Sequence, residues 1–230
     1  MPARPIGSRI FGQMFGTDEM RRLFDDEAMV QRYLDVEAAL ARAQAGLGLV
    51  PAEAARAITA KATTDNIDWE RLRERTEIVG YPILPLVEQL SGWCEDGLGQ
   101  YAHWGATTQD IMDTADVLQM RDALGLIRTD LDAVANALAE LAERHAATVM
   151  AGRTHLQHAL PITFGYKVAT WIDELLRHVE RLRGLEDRVF IALLGGAAGT
   201  YASLGAEGPA VQAELARLLD LKPTAVPSRT

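Results

Sequence analysis

One unbroken apolar seam limits what this chain can fold into more than any other feature. Val117, Met120, Leu124, Ile127, Leu131, Val134, Leu138, Leu141 and His145 follow one another at spacings of three and four. A heptad pattern of this kind keeps one stripe of a long helix apolar, and only packing along other helices removes that stripe from water. Ala151-Gly152 ends the seam. A second long helix is predicted from near Pro161, with Val168, Ile172, Leu175, Val179, Leu182 and Val189 on one face. Gly195-Gly196 and Gly199 then interrupt the pattern. The spacing thus predicts two long helices, antiparallel by their short connection, whose stripes need more cover than one chain segment supplies.

Upstream, the periodic segments are shorter. Met29, Tyr33, Val36, Leu40, Ala43 and Leu47 mark one amphipathic face, and Asp25 and Asp26 suit its N-terminal end. Val50-Pro51 restarts a helix with proline in the first turn. Further helices are predicted over 68–77 and 84–98. No stretch alternates with period two between turn signals, so strands are few or absent. The expected fold class is all-α: a small N-terminal helical domain over residues 1–109, then, over 110–230, the first part of a central long-helix bundle. Helices of neighbouring subunits, or of chain beyond Thr230, are expected to complete that bundle.

Composition removes several function classes. The 230 residues carry a formal net charge of -9, and the basic residues are scattered among acidic ones, which argues against a nucleic-acid partner. A lone cysteine, Cys94, rules out an internal disulfide and reads as a buried apolar filler. The longest apolar stretch, 189–199, is too short to cross a bilayer. No membrane partner is therefore expected, and a cytoplasmic location is. No cysteine or histidine spacing suits a metal, and no cofactor is expected. The run Leu194-Gly195-Gly196-Ala197-Ala198-Gly199-Thr200 lacks the Gly-Lys-Ser/Thr and the preceding strand of a phosphate loop. Close backbone approach to a ligand or a neighbouring helix is the better account of it.

Two polar clusters carry the chemistry. Gly152-Arg153-Thr154-His155-Leu156-Gln157-His158 sets an arginine fork, neutral donors and an imidazole between the two long helices. A turn histidine commonly caps a helix or fills a polar gap, but here His155 has Arg153, Thr154 and Gln157 beside it. His103-Trp104-Gly105-Ala106-Thr107-Thr108-Gln109-Asp110 lies just before the long seam helix. Thr107 or Thr108 is expected to cap that helix, with Asp110 in its first turn, and a helix N-terminus with free amides is also an anion site. His103 divides evenly between packing and substrate contact. His145 and His178 fall on helix bodies and read as packing or surface residues.

The ordered motifs His103-x-Gly-x-Thr-Thr-x-Asp110, Gly152-Arg153-Thr154-His155-x-Gln157 and Gly195-Gly196-Ala-Ala-Gly199-Thr200 resemble the fumarase/aspartase superfamily over nearly the whole chain. The resemblance implies a homotetramer of long helices with active sites shared between subunits. It also implies addition or elimination beside a carboxylate through an aci-carboxylate. On that basis His155 is the expected catalytic residue. His103, Thr107, Thr108, Gln109, Arg153, Thr154 and Gln157 are expected to bind a small polycarboxylate substrate.

Within the superfamily, Val79-Gly80-Tyr81-Pro82-Ile83-Leu84-Pro85-Leu86-Val87 and the segment from His103 to Thr114 are similar to 3-carboxy-cis,cis-muconate cycloisomerases of protocatechuate breakdown. Adenylosuccinate lyase or another fumarate-releasing lyase is the alternative. Against a nucleotide substrate stand Met14-Phe15, where an Arg-Tyr pair is usual, and the lack of any histidine before His103. A second alternative is an inactive helical scaffold or fragment, since the superfamily's Ser-Ser-x-Met-Pro loop does not occur before Thr230.

Overall fold

The computed structural model describes residues 5–227; Ser228, Arg229 and Thr230, at the end of the expected bundle domain, lie outside the described residues. In chain order the elements are α1 (Asp18–Arg22), α2 (Asp26–Gly46), α3 (Ala52–Lys61), α4 (Trp69–Val79), α5 (Ile83–Gly92), α6 (Thr108–Arg144), β1 (Val149–Thr154), β2 (Gln157–Thr163), α7 (Phe164–Val189), β3 (Ile191–Ala192), α8 (Gly208–Leu218) and β4 (Lys222–Pro223). The fold is all-α with few strands, as the periodicity predicts. Contacts divide it into two compact units, one running through Asp122 and resuming at Val189, the other spanning Ala123–Arg188.

The first unit is built around α2. Asp25 starts this helix by accepting the Ala28 amide at 2.8 Å. The sequence pattern suggests one apolar face, yet Val30, Tyr33, Leu34, Val36, Ala38, Ala39, Leu40, Ala41 and Ala43 are all buried. Both α3 and α8 pack against it, and the small alanines let these neighbours approach from more than one side. Asp68 caps α4 through the Arg71 amide at 3.0 Å, and Gly80 closes it in the left-handed region at φ 92. Past Gly92 the predicted helix gives way to a 3-10 segment, Glu95–Tyr101, because Asp96 and Gly97 turn to φ 55 and 72. Cys94 is buried here, its Sγ 3.4 Å from the Leu90 carbonyl, and burial pushes its thiol pKa up.

The second unit joins the later part of α6 to α7 through an antiparallel hairpin. This differs from the predicted helix start near Pro161. Val149, Met150 and Ala151 pair with Thr163, Ile162 and Pro161, and the register slips between Ala151 and Arg153. Proline has no amide to donate, and its place at this irregularity avoids breaking the ladder. Thr163 then accepts the Tyr166 amide at 3.1 Å as α7 begins.

The two helices meet closely at this end. The Gly165 amide donates to the His145 carbonyl at 2.9 Å, and a Cβ at Gly165 would lie 2.5 Å from the Ala142 carbonyl oxygen. His145 sits in the turn after α6 rather than on the helix body, its ring edge-on to Phe164 at 5.2 Å. Farther along, Ile127 and Val134 of the seam remain 42% and 48% exposed. Much of the stripe is therefore uncovered within this chain, as its length predicts. Replacing Gly165 with Ala would force the helices apart. Urea denaturation should show a loss of about 1–3 kcal/mol, against little change for Gly184→Ala, where a Cβ meets open space.

Candidate active site

The start of α6 is held by its own side chains. Asp110, only 1% exposed, accepts the Thr107 amide at 3.0 Å and the Gly196 amide at 2.9 Å on the same oxygen. One turn on, the Thr114 hydroxyl donates to the Leu193 carbonyl at 3.1 Å and accepts the Leu193 amide at 2.9 Å. One face of α6 therefore fixes the glycine run beside the helix start. A Cβ at Gly196, which has φ 73, would come 3.2 Å from the Gly105 carbonyl. The close approach expected of this run is made, at Gly196, to the chain's own turn.

From the other side, α2 holds the turn before α6. The Gln44 amide group donates to the Trp104 carbonyl at 2.6 Å, and Glu37 Oε1 lies 2.6 Å from His103 Nδ1. Glu37 and Gln44 are seven residues apart and so share one helix face. His103 and Gly105 adopt φ 59 and 74, which makes the turn tight enough to meet both partners. Leu204 fills the space where a Gly105 Cβ would be.

Burial by itself would push the His103 imidazole toward its neutral form. The charge of Glu37, its hydrogen bond and the charge of Asp110 outweigh that, and the pKa is raised above the ordinary 6.5. The pair's contribution to stability is therefore complete below about pH 6.5 and is lost as pH rises through the higher folded value. Thr107 and Thr108 are half-buried in the same turn, while Gln109 is exposed and bonded to Asp113.

The second cluster crowns the hairpin. Arg153, Thr154, His155 and Gln157 are all exposed. Thr154 pairs with Gln157 to close a two-residue loop of His155 and Leu156, and Leu156 sits at φ 58 with 92% of its surface exposed. Gly152 marks the bulge below, where a Cβ would meet the Leu160 carbonyl at 2.6 Å. The structure thus gathers His103, Thr107, Thr108 and Gln109 on one turn of the first unit. It gathers Arg153, Thr154, His155 and Gln157 on one hairpin of the second.

Glu37 and Gln44 were not among the residues singled out by sequence. The available signal was an acidic residue inside the apolar run Val36-Glu37-Ala38-Ala39-Leu40, since a buried charge needs a partner. Among the described residues no helix is long and apolar enough to cross a membrane, and no group of three or more His, Cys, Asp or Glu side chains could hold a metal ion.

A long helix, α6, springing from a locked polar turn, and a second polar cluster on the hairpin that leads to α7, belong to a helical-bundle protein. Residues 14–230 match the family model described as lyase (Lyase_1), and the chain belongs to that family, within the fumarase/aspartase superfamily. A trans-aconitate decarboxylase of Mycosarcoma maydis is 47% identical over 93% of this chain and 43% of its own length. Among solved structures, a fumarate lyase from Mesorhizobium sp. BNC1 is 55% identical, with a TM-score of 0.88 over 93% of this chain and 50% of that one. A 3-carboxy-cis,cis-muconate lactonizing enzyme from Pseudomonas putida is 41% identical, with a TM-score of 0.90 over 96% of this chain and 51% of that one. The chain spans about half the length of the curated relatives it matches.

Asp110 should be the stabilising centre of the turn. Asp110→Ala leaves two amides without their charged acceptor and should cost about 3 kcal/mol in urea denaturation. Asp110→Asn, which retains one acceptor oxygen, should cost less.

Proposed function

We propose that this chain supplies part of the active site of an enzyme that adds or eliminates a group across a carbon–carbon bond beside a carboxylate. The reaction we assign is lactonisation of 3-carboxy-cis,cis-muconate. The observation that carries this reading is the turn at the start of α6, where His103, Thr107 and Thr108 are presented together on a frame fixed by Glu37, Gln44, Asp110 and Gly196. Similarity to a muconate lactonizing enzyme over 96% of the chain supports the particular substrate.

In this reaction a substrate carboxylate oxygen attacks an alkene carbon and forms one C–O bond. The alkene pair shifts into the neighbouring carboxylate as an aci-carboxylate, and a proton delivered to the adjacent carbon completes the C–H bond. Catalysis then requires donors that grip the second carboxylate more tightly as charge builds on it. His103, Thr107, Thr108 and the first-turn amides of α6 take that role, with Gln109 at the rim. Arg153 forms a fork on another carboxylate, Thr154 and Gln157 add neutral hydrogen bonds, and His155 orients the substrate or delivers the proton.

The attacking carboxylate is part of the substrate and needs no proton from the enzyme. This accommodates the lack of a histidine before His103 in the sequence. In the proposed whole protein, which is cytoplasmic, an N-terminal domain ends near residue 109 and the bundle begins at 110. Four copies assemble the bundle, so that the hairpin of one and the α6 turn of another serve a shared site.

A fumarate-releasing lyase is the second reading, favoured by the 55% identity to a fumarate lyase. Full-length protein mixed with 3-carboxy-cis,cis-muconate should bleach the substrate's ultraviolet absorbance. No bleaching, together with fumarate appearing from adenylosuccinate, would move the assignment to that second reading. His155→Ala should lower the rate by at least about 10²-fold with assembly intact; an effect on stability alone would mark a helical scaffold without turnover.

A further inference from the structure

Positive charge is scarce where the α6 turn is built. From Thr76 to Met120 the sequence contains no lysine or arginine, and none occurs from Val189 to Ala216. These two segments supply the turn, the start of α6 and the glycine run. The Asp110 carboxylate in their midst is negative and is engaged by the Thr107 and Gly196 amides. His103 is the one side chain in either segment able to carry a positive charge.

Its partner is placed to hold that charge. Glu37 is fully buried in α2, with Oε1 2.6 Å from His103 Nδ1, and among the described residues Oε2 is buried with no hydrogen-bond partner. A carboxylate with one oxygen left bare in the core is unfavourable unless its counterion is fully charged. Imidazolium supplies both the Nδ1–H donor and the compensating charge, whereas neutral imidazole supplies the donor alone. With Nδ1 engaged by Glu37, Nε2–H is the donor left for a ligand, and the His103 side chain keeps 23% of its surface exposed.

We propose that Glu37 is a positioning residue that keeps His103 an imidazolium, so that the α6 turn grips a substrate carboxylate as a cationic clamp rather than through neutral donors alone. The clamp rests on the carboxylate-binding reading above; the charge state of His103 does not. The titratable groups around the ring are Glu37 from α2 and Asp110 from α6, with the Tyr201 phenol on the segment after the glycine run close enough to feel Asp110. Both carboxylates favour the charged ring against burial. Carboxylate affinity is accordingly held through pH 6.5 and falls only as pH rises through the elevated His103 value.

The test uses full-length protein carrying ¹³C at the histidine Cε1 positions, with the His103 signal assigned by its loss in His103→Gln. The wild-type midpoint should lie above about 6.5. Glu37→Gln should lower it by about one to two pH units, and Glu37→Asp, which keeps the charge on a shorter stem, by less. A wild-type midpoint at or below about 6.5 overturns the proposal without any Glu37 variant having to fold. So does a Glu37→Gln midpoint that does not move.

Calorimetric titration with tricarballylate, a saturated tricarboxylate, then reads the clamp. Glu37→Gln should bind severalfold more weakly than wild type at a pH between the two His103 midpoints and recover below both. A loss that is equal at every pH marks a merely structural role and overturns the clamp. Failure of wild type to bind tricarballylate at all removes the carboxylate reading, while the His103 midpoint still decides the charge state.

Discussion

The buried carboxylate of Asp110 is the interaction on which the first unit's polar architecture rests. It gathers amides from the turn before α6 and from a glycine run 86 residues later in the chain. Thr114, one turn along the same helix, binds Leu193, just ahead of that run. Without these two side chains, the helix start and the glycine run would have no common anchor, and the backbones could not approach as closely as Gly105 and Gly196 do. A negative group used in this way is neutralised by amides rather than by a counterion. Its charge still reaches the His103 ring, whose pKa it helps to raise.

Glu37 is a different kind of buried acid. It lies in a helix whose middle is buried on more than one side, and its partner is a titratable ring instead of fixed amides. One carboxylate therefore fixes the backbone while the other controls a side chain's charge. Relatives named for reactions of fumarate, aconitate and carboxymuconate all handle carboxylate-bearing molecules. A turn whose geometry is set from below leaves such chemistry to be varied at the exposed positions.

Much of this was legible in the residues themselves. The three-and-four spacing from Val117 onward marks α6, Asp25 marks the start of α2, and the residues of each polar cluster share one turn or one hairpin. What was not legible depends on separation or on competition between weak preferences. Glu37 and His103 are 66 residues apart, and local periodicity carries no information about such a pair. The hairpin escaped because its apolar residues are too few to show alternation, and because Pro161 also suits a helix start. The one-sided reading of α2 failed for a third reason: alanine counts little in a hydrophobic stripe, yet it buries readily where two helices crowd in.

The bulge at Gly152 bears on how such a hairpin could acquire new chemistry. Side chains on a strand alternate faces residue by residue, and the irregularity between Ala151 and Arg153 is what sets the phase for everything toward the tip. Loss of a single residue there would turn Arg153 and Thr154 to opposite sides in one step, with no change in the identity of any functional group. Diversification of this site need not proceed by exchanging donors one at a time. A length change of one residue at the bulge is enough to re-aim the set.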